Sequence, residues 1–262
     1  KRQVLVYGDG EEPTAPWFRF RRQVDFGSAV CMLVRRATFA ELGGFDARYA
    51  PAYYEDADLC MRLGELGLRV VYEPRSTVTH ARYGSSGSTA AAELSQRNRK
   101  LFADRWGSKL VGRPATFTDA SEQSVIAARD VSATPRVLIL CAPDRGHGPA
   151  IVRALLEDRP TARITWMIPA SFQSDPWLAL GVEVVAGADP AWLERRLYHY
   201  DLVVCDDTVT EAWLDMAACT QPQAPTLVLS ELEDEPTVRS AMSDALVSIG
   251  ISPRPPLIPS GQ

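Results

Sequence analysis

The sequence predicts an α/β chain in two parts, a mixed sheet with helices followed by a parallel sheet with helices. Hydrophobic residues make up 46% and charged residues 23% of the 262 positions, which is typical of a folded globular chain. Buried-strand and helix patterns alternate after residue 136, as they do in parallel sheets. Two stretches, 111–135 and 251–262, lack periodicity or are rich in proline.

These breaks set the predicted domain boundaries. We expect one domain over residues 1–110, a linker over 111–135, a second domain over 136–250 and a loose tail over 251–262. A short helix is expected within the linker, near Ser121 to Asp130.

In the first part, apolar and β-branched runs predict strands at Val24–Val34, Arg69–Tyr72 and Thr77–Thr79. Helices are predicted where an apolar face is followed by glycine, which often succeeds a helix C-terminus. These helices are Arg36–Leu42, Glu55–Leu66 and Thr89–Trp106.

In the second part, strands alternate with helices, which favours a Rossmann-like parallel sheet. The predicted strands are Arg136–Cys141, Arg163–Ile168, Val182–Val185, Asp201–Cys205 and Thr226–Leu229. The helices lie around Ala150–Glu157, Ala191–Tyr198 and Glu211–Ala218.

Composition excludes several classes of protein. The five cysteines are scattered and show no zinc-like spacing, which suits a reducing cytoplasm. No apolar run approaches the ~18 residues of a membrane span. The net charge is −5, and the acidic second half argues against nucleic acid as a partner. The chain starts at Lys1 rather than Met, so we expect a piece of a longer protein.

Three carboxylates, Glu55, Asp56 and Asp58, stand at the opening of a predicted helix after Tyr53-Tyr54. One interpretation is helix capping, since acidic side chains satisfy the free N–H groups of a first turn. The other is chemical. A helix N-terminus keeps a carboxylate ionised and available as a base, and the two aromatic rings could form the wall of a sugar site.

Residues 24–106 resemble glycosyltransferase family 2, specifically the acceptor-side half of its GT-A fold. The resemblance rests on motifs in the order of that family. They are Val24-Asp25-Phe26-Gly27-Ser28-Ala29, Leu42-Gly43-Gly44-Phe45-Asp46, Tyr54-Glu55-Asp56-Ala57-Asp58-Leu59, Gly67-Leu68-Arg69-Val70-Val71-Tyr72, Val78-Thr79-His80, Gln96-Arg97-Asn98-Arg99 and Trp106-Gly107.

The resemblance implies that Asp56 deprotonates an acceptor hydroxyl, which attacks a nucleotide sugar with inversion. Glu55 would orient the site or bind acceptor hydroxyls. Asp58 would cap the helix, and the acceptor would be bound by Tyr53, Tyr54, Gly27, Ser28 and Asp58.

The resemblance also implies a divalent cation, Mn²⁺ or Mg²⁺, in the complete domain. His80 is a candidate metal ligand, with a hydrogen-bonded structural role as the alternative. Arg97 and Arg99 could bind the donor diphosphate, or they could form a solvated basic helix face. No Asp-x-Asp motif precedes Val24, so we expect the chain by itself to be inactive.

The second part resembles the N-terminal half of a GT-B glycosyltransferase. Its loop Ala142–Pro149 follows a strand and precedes a helix, a suitable place for an anion, and His147 could touch an acceptor. Asp206-Asp207 follows another strand. We interpret this part as structural or as an interaction surface.

The predicted function is therefore glycosyl transfer from a nucleotide-sugar donor to a glycan or lipid-linked glycan, in cell-surface polysaccharide biosynthesis. We expect a cytoplasmic protein, and peripheral association with the inner face of the membrane is left open. The alternative is a non-catalytic glycan-binding or scaffold module. A dinucleotide-binding oxidoreductase is disfavoured, because the glycine fingerprint is absent.

Overall fold

The computed structural model describes residues 12–13, 15–80, 88–111, 122–131, 133–144, 146–229 and 234–251. The chain forms two compact units. The first consists of Lys1–Pro13 and Arg21–Ala120, and the second of Thr14–Phe20 and Ser121–Gln262. Residues 112–121 of the predicted linker, and all but the first residue of the predicted tail, lie outside the described residues.

In its described residues, the first unit carries three α-helices and a two-stranded antiparallel sheet. Strand β1 (Arg22–Val24) pairs with β2 (Val70–Tyr72). The three predicted helices are confirmed, as α1 (Arg36–Glu41), α2 (Glu55–Glu65) and α3 (Ser88–Trp106). Their core is a buried cluster of Tyr49, Ala57, Phe102 and Trp106.

The predicted strand at Val24–Val34 is wrong beyond its first residue, and the N–H groups at Ala29 and Val30 bind side chains instead of a neighbouring strand. The N–H of Ala29 donates to Asp56 and that of Val30 donates to Ser28 Oγ, and a 3-10 turn forms there. Backbone donors used in this way cannot join a sheet. Thr77–Thr79 also forms no strand pairing within the described part of the chain.

The second unit is built on a five-stranded parallel sheet, which confirms the predicted α/β class. The strands pair in the order β5-β4-β3-β6-β7. The chain moves outward from β3 to β5 and then returns to the other side of β3, so the strand order reverses between β3 and β6. The strands are β3 (Arg136–Ile139), β4 (Arg163–Ile168), β5 (Val182–Ala186), β6 (Leu202–Asp206) and β7 (Thr226–Leu229).

Helices and one 3-10 stretch form the connections of this sheet. One buried cluster packs α5 and α8 on the sheet, and a second packs the 3-10 stretch and α7. The predicted helix at Ala191–Tyr198 is this 3-10 stretch, Pro190–Arg196. The helices are α4 (Glu122–Arg129), α5 (His147–Asp158), α6 (Asp175–Leu180), α7 (Glu211–Thr220) and α8 (Glu235–Ser248).

Gly148 allows α5 to lie close to β4. A Cβ atom at this position would lie only 2.1 Å from Cζ2 of Trp166. Trp166 is fully buried in β4, and its indole N–H donates to the carbonyl of Cys141 at 3.0 Å. Burial and this hydrogen bond fix the ring, which therefore cannot make room for a side chain.

A buried ion-pair network ties α4 to the sheet. Arg129 binds Glu183 of β5 at 2.8 Å and also Asp130, and Arg163 of β4 binds Asp130 at 2.8 Å. Burial alone would raise the pKa of both carboxyls. However, Arg129 and Arg163 hold the pKa of Asp130 well below its ordinary value, and Arg129 lowers that of Glu183 to about 2. Both guanidinium groups also lie over the ring of Phe20.

None of the helices in the described ranges is long and apolar enough to cross a bilayer.

Candidate active site

The turn before α2 places two consecutive tyrosines in the left-handed region of backbone space. The φ angles of Tyr53 and Tyr54 are 72° and 71°. Such a conformation costs a residue with a Cβ about 1–3 kcal/mol, so the surroundings must impose it. Tyr54 is the N-cap of α2, and its side chain makes no capping hydrogen bond.

Asn98 of α3 holds this turn in place. Its side chain is fully buried, and Nδ2 lies 2.7, 2.7 and 3.0 Å from the carbonyl oxygens of Tyr49, Ala52 and Tyr53. The Nε of Arg97 donates to Oδ1 of Asn98 at 2.9 Å. Both ends of the amide are therefore used, and its orientation is fixed by its partners.

Asp56 lies half-buried in the first turn of α2, and two backbone N–H groups hold its carboxylate. Oδ2 accepts from Ala29 at 3.1 Å, and Oδ1 accepts from Ala57 at 2.8 Å. The Ala57 N–H is one of the free donors of the first helical turn, so the capping interpretation is part of the answer. Each oxygen keeps a second lone pair, which can accept a hydrogen bond from a hydroxyl group.

The hydrogen bond from the N–H of Ala29 to Asp56 brings the adjacent Gly27-Ser28 loop close to this carboxylate. The carbonyl of Gly27 accepts from Sγ of Cys60 at 3.9 Å, and Oγ of Ser28 accepts from the N–H of Val30 at 3.4 Å. Two of the predicted acceptor-side residues therefore lie beside the predicted base.

Glu55 differs from its neighbour Asp56. Its Oε2 atom is buried without a hydrogen-bond partner among the described residues. Desolvation raises the pKa of Glu55, and the adjacent Asp56 charge adds to the shift. Glu55 therefore takes up a proton more readily than an ordinary glutamate.

The two tyrosine rings contribute unequally to a sugar wall. The Tyr54 ring packs on Phe102 of α3, with centroids 5.4 Å apart, and belongs to the rim of the core. Tyr53 is half-buried. Because the Tyr54 ring packs on Phe102, part of its surface is covered by protein and is not available to a sugar.

The predicted acceptor contact of Asp58 is corrected by its burial. Asp58 is fully buried, and its carboxylate accepts from four protein groups rather than from a helix N–H or an acceptor. The donors are Tyr49 Oη at 3.2 Å, Arg62 Nε at 2.7 Å, Arg105 Nη1 at 2.9 Å and Trp106 Nε1 at 2.8 Å. Desolvation and the Asp58 charge raise the pKa of Tyr49 to about 12.

The predicted diphosphate contact of Arg97 stays a prediction, and the structure shows which protein groups Arg97 binds. Arg97 donates to Oδ1 of Asn98 and, through Nη2 at 2.6 Å, to the carbonyl of Ala50. Its guanidinium is thus engaged in holding the turn before α2. Arg99 lies half-buried on α3.

His80 lies exposed at the end of the segment that follows β2. Within the described ranges, no group of three or more His, Cys, Asp or Glu side chains could hold a metal ion. The metal role of His80 therefore stays a prediction, and no step of the proposed mechanism passes through a metal.

At the carboxyl edge of the parallel sheet, Asp206 is fully buried and holds the loops that follow β3 and β6. It accepts from the N–H of Ala142 at 3.2 Å and from Thr208. Nδ1 of His147 lies 3.8 Å from Asp206 and makes no hydrogen bond within the described residues. A crevice of about 360 Å³, lined mainly by apolar strand ends, opens beside Ala142 and Thr208.

Sequence reasoning missed Asn98 as part of the site. The signal was present, since Asn98 is a polar residue on the apolar face that runs through Leu94, Leu101 and Phe102 of α3. A buried side-chain amide requires hydrogen-bond partners, so such a residue indicates that it binds a neighbouring backbone segment.

Comparison with a protein-family model concerns the first third of the chain. Residues 14–103 match the family model described as glycosyltransferase like family 2. The predicted resemblance to this family is thereby confirmed for that segment. The predicted resemblance of the second part to a GT-B half stays a prediction.

Two curated proteins of Mycobacterium tuberculosis, from strains CDC 1551 / Oshkosh and ATCC 25618 / H37Rv, are each 38% identical to this chain over 105 residues. Both are named N-acetylglucosaminyl-diphospho-decaprenol L-rhamnosyltransferase. The alignment covers 36% of this chain and 34% of each relative, so the chain spans about a third of their length. No solved structure matches the chain significantly.

Proposed function

We propose that the first unit is the acceptor side of an inverting glycosyltransferase and that Asp56 is its catalytic base. The observation that carries this proposal is the half-exposed Asp56 carboxylate, held by the N–H groups of Ala29 and Ala57 inside the segment that matches family 2. A carboxylate that is fixed and still open to a hydroxyl can take its proton in the transition state.

The reaction joins an acceptor hydroxyl to the anomeric carbon of a nucleotide sugar. The hydroxyl oxygen attacks that carbon, the bond from the carbon to the diphosphate oxygen breaks, and the proton passes to Asp56. Attack on the face opposite the departing diphosphate inverts the anomeric configuration. Glu55, with its raised pKa, is the proposed partner for a second acceptor hydroxyl.

The names of the relatives suggest the substrates. They combine an L-rhamnosyl donor with an N-acetylglucosaminyl-diphospho-decaprenol acceptor. For this chain we propose a nucleoside-diphospho-L-rhamnose donor and a polyprenol-linked sugar acceptor, in cell-surface polysaccharide biosynthesis. A lipid-linked acceptor places the reaction at a membrane surface, which we assign to the cytoplasmic side.

The test is a radiolabel transfer assay on the native gene product, with N-acetylglucosaminyl-diphospho-farnesol as a short-chain acceptor. Removal of a general base costs ~10²–10⁴-fold in rate. Asp56→Asn should therefore lower kcat by at least about 10²-fold, while acceptor binding measured by calorimetry is retained. Asp104→Asn, an exposed change on α3, is the control and should keep wild-type turnover. Near-normal turnover by Asp56→Asn would show that Asp56 is not the catalytic base.

The second candidate is a glycan-binding module without catalysis. It is favoured by the engagement of Asp58 and Arg97 in protein contacts. The same assay separates the two candidates. Acceptor binding with no transfer by the wild-type gene product, with or without added Mn²⁺, would select the binding module.

A further inference from the structure

The conformation of the turn before α2 depends on a residue of α3. Tyr53 and Tyr54 both hold positive φ angles, which side chains with a Cβ rarely adopt. Such a pair would relax to negative φ unless surrounding groups oppose it. Within the described part of the chain, the groups that bind the carbonyl oxygens of residues 49–53 come from Asn98 and Arg97.

This turn leads directly into the residues proposed for chemistry. Glu55 is the first residue of α2, and the first helical hydrogen bond of α2 runs from the N–H of Asp58 to the carbonyl of Tyr54. A change of φ at Tyr54 would rotate the first turn of α2. Asp56 would then lose the geometry in which its carboxylate accepts from Ala29.

We propose that Asn98 is a positioning residue for the Asp56 carboxylate. Its buried amide binds the carbonyl oxygens of Tyr49, Ala52 and Tyr53, holds the two tyrosines at positive φ and so keeps Asp56 on the Gly27–Ala29 loop. No hydrogen bond joins Asn98 to Asp56 or Ala29 in the described residues, so this effect passes through the turn. The kinetic part of the inference rests on the proposed transferase function, and the structural part does not.

The structural test follows the backbone N–H of Ala29 by ¹H–¹⁵N NMR while the pH is lowered through the carboxylate range. In the wild type, the Ala29 signal should shift as the Asp56 carboxylate takes up a proton, and Asp56→Asn identifies that shift by removing it. Asn98→Ala should abolish or strongly reduce the shift, whereas the control Asp104→Asn should retain it. A full wild-type shift in a folded Asn98→Ala protein would overturn the inference.

Arg97→Ala is a second variant that tests the inference even if Asn98→Ala does not fold. Arg97 is exposed and supports the same amide through its Oδ1 atom, so its loss should reduce the Ala29 shift to a smaller degree. If Asn98→Ala does not fold and Arg97→Ala leaves the Ala29 shift unchanged, the inference is wrong.

The kinetic test distinguishes positioning from general stabilisation. Misplacement of a reacting group by about 1 Å can cost ~10²-fold in rate. In the native gene product, Asn98→Ala should lower kcat by roughly 10–100-fold with little change in the KM of the donor, at a temperature where the protein is folded. A loss of kcat that only follows the folded fraction would contradict positioning. If the wild type shows no transfer, the proposed function fails and the NMR result still decides the role of Asn98.

Discussion

Glu55 and Asp56 are adjacent carboxyl groups that the fold treats differently. Asp56 accepts hydrogen bonds from two backbone N–H groups, which fix the position of its carboxylate. Glu55 buries an oxygen without a partner in the described residues, and desolvation raises its pKa. One helix opening thus supplies a carboxylate held by two backbone N–H groups and a carboxyl group that takes up a proton more readily than an ordinary glutamate.

Asp58 is expected to contribute mainly to stability. Asp58→Ala would leave donors on Tyr49, Arg62, Arg105 and Trp106 without their shared acceptor, and all of these residues except Arg105 are buried. Breaking a buried ion pair from one side costs about 3–5 kcal/mol. We expect a loss of this size in the free energy of unfolding, measured by urea titration with far-UV circular dichroism.

The matched control for Asp58→Ala is Asp104→Asn. It breaks the ion pair between Asp104 and Lys100, in which both side chains are largely exposed. Exposed pairs contribute about 0–1 kcal/mol, so the urea midpoint should hardly move. Equal effects of the two substitutions would mean that the Asp58 cluster does not hold α2 and α3 together.

For single residues, the sequence indicated where polar side chains concentrate, but it did not indicate which groups each of them binds. Asp56 and Asp58 are two positions apart, and both are acidic residues of one first turn. Their side chains point in different directions on the helix, so one meets the Gly27–Ala29 loop and the other meets α3. The bonding of Asp58 depends on Arg105 and Trp106, which are distant in sequence and come close only through folding.

At the scale of elements, the packing of α5 on β4 depends on Gly148. In Gly148→Ala, the new methyl group would lie 2.1 Å from Cζ2 of Trp166, which is buried and hydrogen-bonded. Overpacking of this kind costs about 1–3 kcal/mol. We expect thermal unfolding of the second unit at a lower temperature, followed by the fluorescence and near-UV signals of its tryptophans.

Gly64→Ala provides the comparison for Gly148→Ala. Gly64 lies inside α2, and a Cβ there would meet no atom within 4 Å. Alanine is favoured over glycine in a helix interior by roughly 0.5–1 kcal/mol, so this variant should be more stable than the wild type. Opposite signs for the two Gly→Ala substitutions are the expected result. The same sign would refute the steric explanation.

Elements with a clear pattern were predictable, and elements decided by distant contacts were not. The five strands of the parallel sheet were recognised because each is a mostly apolar run, as expected for strands of a parallel sheet, although β7 at the edge is partly exposed. Val24–Val34 is also mostly apolar, yet within it Ala29–Cys31 forms a 3-10 turn, and Asp56 accepts a hydrogen bond from the N–H of Ala29. The apolar pattern of a segment cannot predict a hydrogen bond to a carboxylate of a helix that is distant in sequence.

For the whole molecule, the buried ion pairs predict a loss of stability in acid. Glu183 has its pKa lowered to about 2, and that of Asp130 lies well below its ordinary value. Carboxyls with depressed pKa values stabilise the fold above their unfolded pKa of about 4, and that contribution disappears as the pH falls towards the folded values. Urea titrations at pH 7, 5 and 3 should give similar stability at pH 7 and 5 and a clear drop at pH 3.

The variant Glu183→Gln tests the source of this acid sensitivity. The substitution keeps the shape of the side chain and removes its charge, so Arg129 would lose one of its two carboxylate partners. We expect lower stability at pH 7 and a smaller further loss between pH 5 and pH 3 than in the wild type. An unchanged pH dependence would assign the acid sensitivity to other carboxyls.

The placement of Phe20 has a consequence for how the chain is made. Phe20 is buried in the core of the second unit and lies under Arg129 and Arg163, although Arg21–Ala120 belongs to the first unit. During synthesis this phenylalanine therefore emerges from the ribosome well before the strands that will cover it. The second unit can complete its core only after the intervening segment has been translated. The first unit therefore has time to fold before the residues that bury Phe20 have been synthesised.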